Sequence, residues 1–108
     1  MPEKRQHIRK RIDSAMRVID INRNQVIGSM VDLSESGFMM LSDQAVTAGT
    51  VLQLRIELPR QVNGKMSVDV GAESLWCGAA NVPEHFLTGF HIIDIDESAT
   101  ATLEALVN

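Results

Sequence analysis

Apolar and polar residues alternate along most of this chain, and the alternation breaks where turn-forming residues collect. Residues 51–58 (VLQLRIEL) show it most clearly. Leu52, Leu54, Ile56 and Leu58 share one face and Gln53, Arg55 and Glu57 the other, the period of a half-buried strand. Pro59 then lacks a ladder donor and predicts the strand's end. Residues 15–21 (AMRVIDI) and 25–34 (QVIGSMVDLS) predict two strands joined by a short turn at 22–24, a hairpin. After a turn through Ser34-Glu35-Ser36-Gly37, residues 37–41 (GFMML) predict a third strand, with Gly37 expected at positive φ. Asn63-Gly64 is a strong hairpin signal, and Met66, Val68, Val70, Ala72 and Trp76 predict the inner row of a long fifth strand, with Gly71 at a bend or bulge. A sixth strand is expected from about His85 to Ile95, with Phe86, Phe90 and Ile92 on one face, Leu87, Ile93 and Ile95 largely on the other, and both faces covered.

The period changes at the end of the chain. Ala99, Thr102, Leu103, Leu106 and Val107 recur at helical spacing, with Asp94 or Asp96 available as a cap, so a short C-terminal helix is expected over the last strand or over one barrel mouth. Six short strands with tight turns and one helix predict an all-β fold, a six-stranded antiparallel (split) β-barrel with a short C-terminal α-helix. Closure would remove exposed strand edges.

Length and composition narrow the class. The 108 residues suffice for one domain, and with three Phe, one Trp and no Tyr the core must be aliphatic and Met-rich. No run of about eighteen apolar residues is present and the basic N-terminus has no apolar segment behind it, which predicts a cytoplasmic protein without membrane insertion. The single Cys77 forms no internal disulfide and fits a reducing compartment.

The net charge of −4 hides an asymmetry. Lys4, Arg5, Arg9, Lys10 and Arg11 stand against Glu3 in residues 1–11, a net +4, which leaves −8 on the other 97 residues. Residues 1–14 therefore read as a flexible basic arm and 15–108 as the barrel with its helix. The acidic body disfavours a nucleic-acid polymer, while a local basic cluster still suits a small phosphate ligand.

Two short signatures carry the chemistry. Arginines at 5 and 9 lie on one side of either a helical turn or an extended segment, and each offers a planar fork of donors for a phosphate or for guanine N7 and O6. Asp32 and Ser34 lie two apart on a strand before Gly37; a carboxylate can accept from the ring edge of guanine. Taken alone, the first fits a solubilising tail and the second a self-satisfied turn. No Ser/His/Asp arrangement, phosphate-binding glycine loop or paired carboxylates suggest catalysis, and His7, His85 and His91 lack a metal-like cluster, so no enzyme and no cofactor are expected.

In order and spacing, Arg5-x-x-x-Arg9 followed by Asp32-x-Ser34-x-x-Gly37 resembles the PilZ family of bacterial cyclic di-GMP receptors. Trp76 and the segment from Thr88 to Asp96 (TGFHIIDID) resemble the family's later strands, so the likeness covers nearly the whole chain. Ser36 stands where many members have a second glycine, and Ile92 where an aromatic is usual. The resemblance implies that Arg5 and Arg9 grip guanine and phosphate oxygens, that Asp32 accepts from guanine, that Ser34 bonds the ligand or holds the turn, and that Gly37 permits close backbone approach. A basic residue at Lys4 is associated in the family with two cyclic di-GMP molecules per chain. The implied function is a receptor or adaptor whose arm orders on the ligand and signals to an unidentified downstream protein, in motility, biofilm or other regulation, as a monomer or weak dimer. The alternative is an interaction module of the same fold that binds no nucleotide.

Overall fold

The computed structural model describes residues 16–34 and 36–107, and the backbone of Lys10–Arg11. In chain order the strands are β1 (Lys10–Arg11), β2 (Arg17–Asp20), β3 (Gln25–Leu33), β4 (Gly37–Ser42), β5 (Val51–Val62), β6 (Lys65–Ala79) and β7 (Phe86–Asp94), followed by the helix α1 (Glu97–Val107). Six of these close a ring. The neighbours run β3-β2-β5-β6-β7-β4 and return to β3, antiparallel throughout. β1 adds two residues to the same edge of β3 that β2 occupies, because Leu33 pairs with Lys10 on one side and Phe38 on the other.

The alternating aliphatic rows fill the interior. Val18, Met30, Leu33, Met40, Leu54, Ile56, Val70 and Ala72 are buried, and Phe38 stacks on Phe90 with ring centroids 5.0 Å apart. Each large aliphatic chain withdrawn from water contributes about 1.5–3 kcal/mol. The helix begins where the Asp96 carboxylate accepts the Ala99 N–H at 2.7 Å, which selects Asp96 as the cap. Ala99, Leu103, Leu106 and Val107 join the same core, while Ile93 on the outside of β7 stays 48% exposed. α1 therefore packs on the barrel's interior, the second of the two positions expected for it, while the exposure of Ile93 on the outer face of β7 departs from the expectation that both faces of that strand are covered.

Register irregularities account for the other departures. Ladder pairing of β5 with β6 lapses between Glu57 and Val62, so Pro59 sits where no donor is demanded and β5 runs on to Val62. Met66 lies in that irregular hairpin, beyond the core, and is exposed; the inner row of β6 starts at Val68. An extra residue between Ser74 and Trp76 turns the strand over, leaving Ser74 inside and Trp76 outside. Gly37 is not among the positive-φ residues. Its glycine is required by close approach, since a β-carbon there would stand 2.2 Å from the Phe90 carbonyl oxygen on β7.

Candidate functional site

The closed sheet brings one outward row into line. Backbone pairing sets Asp32 opposite Met39, Met39 opposite Gly89, and Gly89 opposite Trp76, so four strands contribute to one band across the outer wall. β1 extends it, with Arg11 paired opposite Asp32. The next row sets Gly37 beside His91 and His91 beside Glu73.

A groove of about 320 Å³ follows these rows, lined by Asp32, Ser34, Ser36, Gly37, Met39 and, from β6 and β7, Leu75, Trp76 and His91 among others. Its floor is firm. Phe38 and Phe90 stack beneath it inside the barrel, and Gly89 carries no side chain, so the Trp76 indole settles over the backbone of β7 while remaining about half exposed. A β-bulge at Val31 moves β3 out of simple alternation: Met30 and Leu33 both point inward, and Asp32 is left on the groove side.

Ser34 has a defined structural task. It is 2% exposed, its N–H donates to the Gly37 carbonyl at 2.9 Å, and its hydroxyl donates to the same oxygen at 3.3 Å. The Ile92 N–H donates to the Ser36 carbonyl at 2.8 Å, which ties the turn to β7. The serine of the second signature thus shapes the turn that carries the groove's edge.

Among the described residues lining the groove, none is a lysine or arginine. Arg17 and Arg55 are committed elsewhere on the wall, to Glu57 at 2.7 Å and to Asp69 at 2.8 Å, and in each case the hydrogen bond to the carboxylate holds the guanidinium above its ordinary pKa. The groove can offer a carboxylate acceptor, an exposed indole face, an imidazole and backbone. The described lining offers no cation for a phosphate. Lys4, Arg5 and Arg9 lie outside the described residues. Arg9 directly precedes β1 in sequence, and β1 pairs with Leu33 and Asp32.

Sequence reasoning placed Asp32, Ser34 and Gly37 at the site, and the structure brings all three to one groove. It did not find the contribution of His91, and it put Trp76 inside the barrel. Cross-strand register is what unites them, and a single sequence carries no direct signal of it. A larger cavity, about 400 Å³, opens at the mouth formed by the β2–β3 turn and residues 43–50. None of Asp32, Ser34 and Gly37 lines it, so the groove is the better candidate. Among the described residues there is no group of three or more His, Cys, Asp or Glu placed to hold a metal ion, and no helix is long and apolar enough to cross a membrane.

Comparison with known proteins agrees with this geometry. The family model described as PilZ domain matches residues 3–108. Among solved structures, the inhibitor of motility MotI/DgrA of Bacillus subtilis superposes with a TM-score of 0.73 at 16% identity, over 96% of this chain and 50% of that one. The PilZ domain of YcgR from Escherichia coli, with c-di-GMP, gives 0.73 at 12% identity, over 97% of this chain and 89% of that one. YcgR in complex with c-di-GMP gives 0.72, with this chain spanning 45% of its length. At such identities the likeness is one of fold. Comparison with curated proteins finds no match.

Proposed function

Because the chain belongs to the PilZ domain family, a non-catalytic family of c-di-GMP receptors, we propose that it binds cyclic di-GMP in the groove between β3, β4, β6 and β7 and closes its basic arm over the ligand. The observation that carries this reading is the convergence of Asp32, Ser34 and Gly37 with an exposed indole in one groove that has no cation of its own among the described residues. A guanine needs a face to stack on and an acceptor for its N1 and N2 hydrogens; Trp76 supplies the first and Asp32 the second. Ser34 acts by holding the turn. Gly37 acts by letting β4 and β7 close up beneath the ligand.

The doubly anionic backbone needs positive charge that the described lining of the groove lacks, and in this reading Arg5 and Arg9 supply it. From Lys10, Arg5 is five residues away, a contour of at most about 18 Å, and the proposal has both arginines cross to the groove from the anchor at β1. The groove's volume lies at the low end of the roughly 300–1,000 Å³ typical of ligand pockets, which suits a ligand covered from above by the part of the arm that precedes β1. Each charge-assisted contact contributes roughly 1.5–3 kcal/mol, and fixing each arm residue costs about 1–2 kcal/mol, so several contacts must form together. Ordering of the arm is then the change that a downstream protein reads. Lys4 extends the basic cluster and favours a second cyclic di-GMP stacked on the first; a titration that saturates at one ligand per chain removes that part of the reading.

The test uses the fluorescence of Trp76, the chain's one tryptophan. Cyclic di-GMP quenches it saturably, GMP and single-stranded RNA do so far more weakly, and Arg5→Ala and Asp32→Ala each weaken the response. No response from folded protein would favour the nucleotide-free interaction module.

A further inference from the structure

The bulge that turns Trp76 outward is also the clasp of the loop at the barrel mouth. Ser74, two residues before Trp76, is 1% exposed and points inward. Its hydroxyl donates to the Thr47 carbonyl at 2.7 Å and accepts the Thr50 N–H at 2.9 Å. Its carbonyl accepts the Gly49 N–H at 2.7 Å, and its own N–H donates to the Thr50 carbonyl at 2.9 Å. Cys77, the residue after Trp76, accepts the Val46 N–H at its Sγ, 3.4 Å away, and the hydroxyl of fully buried Thr88 at the same distance. Residues 46–50 therefore hang on the two inward positions that flank Leu75 and Trp76. Neither Ser74 nor Cys77 lines the groove.

We propose that the bulge at Leu75–Trp76 couples occupancy of the groove to the 43–50 loop, so that a ligand stacked on Trp76 tightens the loop and the 400 Å³ mouth cavity it lines. The path is covalent and short. A β-bulge leaves its extra residue out of the ladder, and here Leu75 is that residue, so the strand is least constrained between the indole and the Ser74 clasp, while Cys77 follows Trp76 directly in the ladder. A planar ligand pressed against the indole fixes the Trp76 backbone over Gly89, and with it the orientation of Ser74 and Cys77 on the opposite face. The bonds from Val46, Gly49 and Thr50 then break less often. Coupling of this kind is reciprocal, so loosening the clasp weakens the ligand by the same factor by which the ligand tightens the loop. This device rests on the proposed cyclic di-GMP site, and its readout is separate from that of binding.

Cys77 is the chain's single cysteine and serves as the probe. Alkylation by N-ethylmaleimide is followed with and without cyclic di-GMP, with Trp76 fluorescence recording binding in the same samples. The expected result is quenching accompanied by alkylation slowed about five-fold or more, the low end of usual coupling strengths, and by slower amide exchange at Val46, Gly49 and Thr50. Ser74→Ala should keep the quench at higher ligand concentration and lose the protection of Cys77; the exchange measurement on the unaltered protein stands if that variant does not fold. Quenching with alkylation and exchange both unchanged overturns the coupling and leaves the ligand site intact. Absence of quenching and of binding heat overturns the site itself and the coupling with it.

Discussion

A β-carbon on Gly89 would stand 2.4 Å from Nε1 of Trp76, inside any tolerable contact, so the indole occupies its place on the outer wall only because residue 89 has no side chain. The pair makes a flat apolar shelf between Asp32 and Leu75. Gly89→Ala should displace the indole and cost affinity for cyclic di-GMP much as Trp76→Ala does, roughly 5- to 150-fold from the loss of one base stack. The double substitution should be no worse than either alone. Calorimetric titration of the three variants checks this, and additive losses would show that the glycine acts elsewhere.

Gly37 carries a different constraint. A methyl group there meets the Phe90 carbonyl oxygen at 2.2 Å, so Gly37→Ala must push β4 away from β7 and disturb the Phe38–Phe90 stack below. Overpacking of this sort destabilises by about 1–3 kcal/mol. Thermal unfolding followed by circular dichroism should show a midpoint lowered by roughly 4–8 °C for each kcal/mol. An unchanged midpoint would mean that the strands separate freely at this point.

Asp32 and Ser34 should part company in experiment although they stand two residues apart. Ser34→Ala removes a buried hydrogen bond to Gly37, so stability falls by about 1 kcal/mol and affinity falls because the turn loosens. Asp32→Asn keeps the size of the side chain and removes the acceptor charge proposed to meet guanine, so affinity should fall by roughly 10- to 150-fold. Paired melting and binding curves separate the roles; equal effects of both substitutions on both measurements would contradict them.

The helix cap is a control on the opposite side of the account. Asp96→Ala removes the carboxylate that accepts the Ala99 N–H and should cost about 1 kcal/mol of stability without altering cyclic di-GMP affinity. A loss of affinity would place α1 in the ligand site, where none of its residues lines the groove.

The strands were legible because alternation such as Leu52, Leu54 and Ile56 leaves one arrangement in which apolar faces meet, and Asn63-Gly64 marks a turn that few other residues make. The helix was legible from its spacing, though only the bond from Ala99 chooses Asp96 over Asp94. The irregularity expected at Gly71 is there, but the bulges at Val31 and Leu75 escaped, because one extra residue reverses every later side chain without leaving a mark in the pattern. That is why Trp76 was placed in the core and is found on the wall. Gly37 was recognised for its position in a motif, yet its reason is the carbonyl of Phe90, fifty-three residues away along the chain. His91 and Met39 belong to the groove through register alone.

Isothermal titration of cyclic di-GMP into the folded protein, run beside the Arg5→Ala and Asp32→Asn variants, tests the receptor claim most directly. Saturable heat in the unaltered protein, sharply reduced in both variants, is the expected outcome. Flat heats at micromolar protein, with a fluorescence assay in agreement, or binding that both variants retain in full, would contradict it.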